Sequence, residues 1–410
     1  MASSMLRSSG NQPSIHFWQQ VKKTTNSKVP LPDTLEGVSG SKNIADFWST
    51  HYKSIFNSVK PDLYLPEPDD IYYDPSVLVN CHEMCNIIDK LSGGKAAGPD
   101  GLCSEHFKYC GPRINYLLAM LFTSVFIHGY IPSEINKSVL VPIIKSKSGI
   151  LSDKNNYRPI GISPVCSKIL ECVILQRIEK YIKTTDNQFG FKYKHSTESC
   201  IFLLKEILHY FKNHGTPSFV CFMDASKAFD RLNHGKLLNL LATKNVPVYI
   251  IRVIAAYLTN QQLCVRWNGI YSELFSACNG VRQGGILSPY LFNIYINEIS
   301  LVLNKQDIGC TFQNCQINHL LYADDLVLIS PSSKGLQKLI SCCTHVGNNL
   351  NIIFNDSKTV CMTFCKTSIT KCKAPFPDMY MNEQKLKKML MYLSILDTTS
   401  LLTCLMIKIY

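Results

Sequence analysis

Tyr322-Ala323-Asp324-Asp325 sets two adjacent carboxylic acids at a bend between two apolar runs, Leu320-Leu321 before it and Leu326-Val327-Leu328-Ile329 after it. The runs are short and β-rich, as the arms of a buried hairpin are. Carboxylates in so apolar a frame are costly to bury without compensation, which a divalent cation commonly supplies. A solvated surface turn is the alternative, since Asp is frequent in turns. A further acid stands far upstream, where the apolar run Phe219-Val220-Cys221-Phe222-Met223 ends at Asp224. Two buried strands, each delivering a carboxylate at its end, would place Asp224 and Asp324 on one side of a sheet. Oxygen ligands at a site with open positions suit Mg²⁺, which binds through a few carboxylates plus substrate phosphates. Two such ions about 3.5–4 Å apart serve an in-line phosphoryl displacement.

The elements that must position these acids are legible as hydrophobic periodicity. Residues 139–145 read as a strand, and 163–183 as a helix with Ile169, Leu170, Val173, Ile174 and Ile178 on one stripe. Two helices are expected over 235–243 and 248–258. Apolar runs over 262–267 and 270–277 flank Asn268-Gly269, a strong hairpin signal. Ser288-Pro289 opens another helix, with Ser as N-cap and Pro in the first turn. Leu336, Leu339, Ile340 and Cys343 mark a helix, and strands follow around Ile352 and Cys361. An amphipathic helix within 71–110 leads into the loop 93–101, whose glycines permit close approach of backbone to phosphate; a plain turn fits as well. Helices and strands interleave without strict βαβ alternation, which predicts an α+β fold with an antiparallel core. Residues 1–70 mix Ser, Asn, Lys and Pro with scattered aromatics and read as an extension or linker with one short helix over 47–56.

The chain has 410 residues, 46% of them hydrophobic, which is ample for a core and argues against disorder. Its formal net charge of +12 favours a polyanionic partner, although excess charge also serves solubility. Lys137, Lys145, Lys147, Lys154, Arg158, Lys168, Arg177, Lys180, Lys183, Lys192 and Lys194 crowd the stretch before the first acid, as a phosphate-tracking surface would. The 18 cysteines scatter without zinc-site spacing. No signal peptide is visible at the N-terminus, so an intracellular setting, nucleus or cytoplasm, with reduced thiols is expected.

Seven segments in order carry a family resemblance: Lys95-Ala96-Ala97-Gly98-Pro99-Asp100-Gly101, Tyr157-Arg158-Pro159-Ile160, Gln188-Phe189-Gly190-Phe191, the Asp224 block, Gly280-Val281-Arg282-Gln283-Gly284-Gly285, the Asp324 turn, and residues 355–364. Together the chain resembles the reverse transcriptase of a non-LTR (LINE-type, jockey-like) retrotransposon. The resemblance implies a right-hand polymerase fold, with fingers and an antiparallel palm sheet packed on helices. It implies an RNA-directed DNA polymerase using two Mg²⁺ ions, with Mn²⁺ as a substitute, on an RNA template, a DNA primer or nicked target DNA, and dNTPs. No membrane partner is implied.

By the same resemblance, Asp224, Asp324 and the Ala225 carbonyl are metal ligands, with Asp325 close by. Phe229 is a steric gate against a 2′-hydroxyl; its other reading is a plain core residue. Lys145 and Arg158 grip the triphosphate, Gln283 and Gly284 meet the nucleotide or template, and Lys358 protonates pyrophosphate. For Lys145, Arg158 and Lys358, solvated basic positions are the alternative, and Arg282 is as readily a structural ion-pair partner. The expected layout is 1–70 extension, 71–200 fingers, 201–365 palm and 366–410 a truncated C-terminal segment. The family's endonuclease domain finds no match here, and the thumb is expected to be largely missing. Rewriting residues 395–409 in another reading frame, with suitable codons, gives family-like sequence, which suggests a frameshift or a mispredicted gene end near Lys388. A membrane tail anchor over 389–410 competes with that, with Asp397 against it. An inactive relic that binds nucleic acid is the alternative to an enzyme.

Overall fold

The computed structural model describes residues 30–59, 75–313, 315–365 and 377–392. In chain order the longer elements are helices α1 (Ser41–Phe56), α2 (Cys81–Lys90), α3 (Ser104–Tyr109) and α4 (Arg113–His128), strands β1 (Lys137–Ile144) and β2 (Tyr157–Ile162), helices α5 (Val165–Ile178) and α6 (Thr197–Asn213), and strand β3 (Ser218–Ala225). Helices α7 (His234–Thr243) and α8 (Val248–Thr259) follow, then strands β4 (Gln262–Trp267), β5 (Ile270–Tyr271) and β6 (Phe275–Ser276) and helix α9 (Ser288–Asn304). Strands β7 (His319–Tyr322) and β8 (Asp325–Ser330), helix α10 (Ser333–Asn349) and strands β9 (Phe354–Cys365) and β10 (Lys387–Tyr392) complete the set.

Two five-stranded sheets organise these elements, and the mixed α+β expectation holds. The central sheet has the order β7-β8-β3-β9-β10, and the second sheet β2-β1-β4-β5, with β6 also paired to β4. The first three pairings of the central sheet are antiparallel, as expected, but β10 lies parallel to β9 and makes the sheet mixed. β3 is its middle strand. Alternate residues of β3 face opposite ways, as the two-residue period of a strand requires. Phe219, Cys221 and Met223 enter one core with α5, α7, α8, α9 and α10, while Val220 and Phe222 enter another against α6. Coverage on both faces explains why this strand reads as an unbroken apolar run rather than as an alternation.

Several sequence expectations shift. The helix expected ahead of the 93–101 loop is α2, which begins where Asn80 accepts a hydrogen bond from the Glu83 N–H, and a second short helix, α3, follows that loop unannounced. Helix α6, capped by Ser196, has no counterpart in the sequence reading. Ser288 does not cap α9: Leu287 takes that position, and the Glu171 carboxylate accepts the Ile286 and Leu287 N–H groups instead. The Asn268-Gly269 turn forms, both residues having positive φ, but its second arm breaks into β5 and β6. Arg177, counted among phosphate-tracking cations, is mostly enclosed and pairs with Glu83 at 2.6 Å.

Helix α1 starts six residues earlier than the short helix expected and belongs to the folded body. Its Ile44, Trp48, Tyr52 and Phe56 are buried, and Trp48 meets Tyr157 and Trp267 of the second sheet at ring separations of 5.2 and 6.1 Å. Replacing Trp48 with Ala should therefore cost about 3–5 kcal/mol. The measurement is the urea midpoint of unfolding; a midpoint equal to the parent's would show that α1 is not part of the cooperative core.

Candidate active site

Asp224 is the next-to-last residue of β3, and Asp324 sits in the two-residue turn between β7 and β8. The β3–β8 register pairs Met223 with Leu326, so one step further sets Asp325 opposite Asp224. The three acids therefore gather at one end of the central sheet. Burial raises the pKa of Asp324 above the ordinary carboxylate range, and the neighbouring Asp224 charge raises it further. Asp325 is 5% exposed, and one of its carboxylate oxygens has no hydrogen-bond partner. Burial first, then the charges of Asp324 and Asp224, push its pKa to about 8.

The turn is tight. Tyr322 pairs with Asp325, and Ala323 adopts φ +55°, a left-handed conformation that strains a residue bearing Cβ. Across the sheet, β9 pairs Asn355 with Asp224 and then bulges before Val360. Within the bulge the Asn355 side-chain oxygen accepts the Ser357 and Lys358 N–H groups. That irregularity aims Lys358 at the acids: its ammonium lies 3.6 Å from Asp224, which is 17% exposed against 66% for the lysine. A pair so open contributes little stability.

Beyond β3 the chain turns through Lys227, at φ +51°, into the short helical turn Ala228–Arg231. The Phe229 ring stacks on Phe292 of α9 with centroids 4.0 Å apart, and Phe191 meets it edge-on at 6.4 Å. Asp230 is buried and accepts a 2.8 Å hydrogen bond from the Gln283 amide. Its pKa rises to about 6, because burial outweighs that hydrogen bond and the Lys227 and Lys145 charges. Gln283 was expected to face substrate; its side chain is instead engaged with Asp230, and its carbonyl accepts the Gly161 N–H. Gly284 has φ +111°, and an added Cβ would lie 2.8 Å from the Gly161 carbonyl oxygen, so close packing of the two loops accounts for the glycine.

Arg282 is a structural residue. It is 1% exposed, donates to Asn136, Ser138 and Ser163, and lies over the Tyr257 ring. Lys145 follows β1 and donates to the Asn155 carbonyl; Arg158, on β2 opposite Ile143, bears electrostatically on Asp324 and Asp325. Ala225 ends β3, where its backbone pairs with Phe354.

Among the described residues, no three His, Cys, Asp or Glu side chains converge as a ready-made metal cluster. The donor set nonetheless suits a hard cation. Two neighbouring carboxylates, electrostatically at odds, are relieved by a divalent ion.

The reverse transcriptase (RNA-dependent DNA polymerase) family matches residues 144–393, more than half of the chain, and the chain belongs to that family. It is similar to the RNA-directed DNA polymerase from mobile element jockey of Drosophila melanogaster, with 26% identity over 71% of this chain and 32% of that protein. The probable RNA-directed DNA polymerase from transposon BS of the same fly is 26% identical over 72% of this chain and 33% of the relative. A Pol polyprotein from the type-2 element R2DM matches at 25% over 61% and 23%. The chain thus spans about a third or less of the length of these relatives. The family match ends at residue 393, and the reframed stretch 395–409 is outside the described residues. Among the described residues, no helix is long and apolar enough to cross a membrane.

The raised carboxylates carry a stability signature. A carboxyl whose folded pKa lies above its unfolded value binds its proton more tightly in the native state. Stability is full below about pH 4 for that group and falls as pH rises toward the folded value of about 8 for Asp325. Asp325→Asn should flatten this decline and raise stability at pH 8 by on the order of 1–3 kcal/mol. Denaturant melts at pH 5 and pH 8 in metal-free buffer provide the check; an equal pH dependence in both proteins would contradict the burial assigned to Asp325.

Proposed function

We propose that this chain is an RNA-directed DNA polymerase that extends a DNA primer on an RNA template. The single observation that carries the reading is the meeting of Asp224 and Asp324, a hundred residues apart, at one end of a doubly covered sheet in a chain of the reverse transcriptase family. In this reading the central sheet with α6–α10 is the palm. The β1–β2–β4 sheet and the helices before it are the fingers, with β4 coming from the 201–365 stretch expected as palm because it pairs with β1.

Asp224, Asp324 and the Ala225 carbonyl would hold Mg²⁺, with Mn²⁺ as a substitute. When bound, the ions lower the pKa of a primer 3′-hydroxyl and neutralise charge on the departing pyrophosphate. The protein's own groups do the rest. Asp224 and Asp324 would hold the counter-ions of the reacting phosphate. Lys358, already beside Asp224, stands where an ammonium can hand a proton to pyrophosphate. Arg158 and Lys145 supply positive charge for the triphosphate, the guanidinium as a fork and the ammonium as a point. Gln283, tied to Asp230, acts by holding the loop of Gly284 against β2. The Phe229 ring, braced from beneath by Phe292, takes the space of a ribose 2′-hydroxyl.

Primer extension on an RNA template tests the reading. Asp324→Asn should abolish incorporation while the protein still binds template and primer; equal extension by both proteins would retire it. Phe229→Val should admit ribonucleotides by opening the floor of the sugar site. Competition between dNTP and rNTP measures this, and unchanged sugar selectivity would remove the gate role.

A further inference from the structure

Asn187, Gln188 and Phe189 add a short parallel bridge to the edge of the central sheet at Leu321. The Leu321 N–H donates to the Asn187 carbonyl at 2.9 Å, and the Phe189 N–H donates to the Leu321 carbonyl at 2.8 Å. Gly190 then abuts the acidic turn itself. A Cβ placed on Gly190 would lie 2.3 Å from the Ala323 nitrogen and 3.1 Å from the Tyr322 carbonyl carbon, too close for any side chain. Asn293 of α9 holds this contact from behind. Its amide donates to the Gly190 carbonyl at 2.7 Å and its oxygen accepts from the Gln188 amide at 3.2 Å, while the Gln188 oxygen accepts the Gly190 N–H at 3.3 Å. Gln188 and Asn293 are almost wholly buried, so these bonds have no ready replacement from water.

From this closed triangle we infer a positioning device: Gln188, Gly190 and Asn293 clamp the backbone of residues 322–323 and so set where Asp324 points. Strain at Ala323, held at φ +55°, calls for such a device. A left-handed alanine persists only where its surroundings over-determine it. The hairpin fixes Tyr322 and Asp325 on one side, and the Gly190 backbone closes the other. Without the clamp the turn is free to relax, and Asp324 moves relative to Asp224. Misplacement of a reacting group by about 1 Å is worth up to a hundredfold in rate. The inference rests on the polymerase reading above and deepens it by naming residues that act through Asp324 without touching substrate.

The experiment compares wild type, Asp324→Asn, Gly190→Ala, Asn293→Ala and the double change Asn293→Ala with Ala323→Gly. Two quantities are read: steady-state primer extension as a function of Mg²⁺ and dNTP, and Mn²⁺ binding to the free protein by its electron paramagnetic resonance signal. Asn293→Ala, which adds no bulk, is expected to lower kcat about tenfold or more, raise the Mg²⁺ needed for half-activity and weaken Mn²⁺ binding, with the dNTP KM within twofold. Gly190→Ala should do the same more severely. Ala323→Gly should restore much of what Asn293→Ala loses, because glycine holds φ near +55° without help; a general packing defect would not be rescued this way. Loss of activity and Mn²⁺ binding in Asp324→Asn, with Asn293→Ala unchanged in both readouts or not rescued by Ala323→Gly, overturns the clamp while leaving the polymerase reading intact. Equal activity of Asp324→Asn and wild type overturns the polymerase reading and the clamp with it.

Discussion

The repulsion between carboxylates held at one end of a sheet is the constraint on which the rest of this structure turns. Asp324 and Asp325 are largely withdrawn from water, and Asp224 stands near enough for its charge to raise both. Such an arrangement is unfavourable by itself and persists because the surrounding cores hold the strands in place. Two apolar clusters sandwich β3, and the hydrophobic packing of α5–α10 and α6 supplies the stabilisation that the acids consume. The result is a region of concentrated negative potential with a basic perimeter of Lys145, Arg158, Lys227 and Lys358.

The two sheets divide the work. The central sheet presents the acids, and its strength lies in being covered on both sides. The second sheet, seated on α1 through Trp48, Tyr157 and Trp267, carries Arg158 toward the acids. Gln283 joins them directly, with its amide on Asp230 and its carbonyl on Gly161 of β2. Gly284 and Gly161 can approach because neither has a side chain in the way. Arg282, buried under the same loop, spends its donors on Asn136, Ser138 and Ser163, so the loop is anchored from inside.

Much of this was legible in the sequence, for identifiable reasons. Strands buried on both faces write continuous apolar runs, so β3 and β8, and the acids at their ends, could be read without coordinates. The Asn-Gly turn, the stripe of α5 and the apolar residues of α9 and α10 were equally plain. What stayed hidden depends on long-range partners. The parallel docking of β10 leaves no local mark, because only register against β9 distinguishes it. Ser288 has the right type for a cap, but Glu171, over a hundred residues away, does the capping. Gln188-Phe189-Gly190-Phe191 was visible as a motif, yet the need for glycine there comes from the backbone of residues 322–323, which no local pattern encodes. Trp48 sits in a stretch whose polar composition suggests a tether, and only its ring contacts with the distant Tyr157 and Trp267 make it core.

One consequence follows from the order of residues on α9. Phe292 and Asn293 are consecutive: the first floors Phe229, and the second fastens Gly190 behind the acidic turn. A single helix therefore bears both the ring beneath the proposed sugar gate and the amide that fastens the acidic turn. Any tilt or slide of α9 displaces the two in concert, so in the proposed reading sugar selectivity and the rate of the chemical step are geared to one shaft and resist separate adjustment.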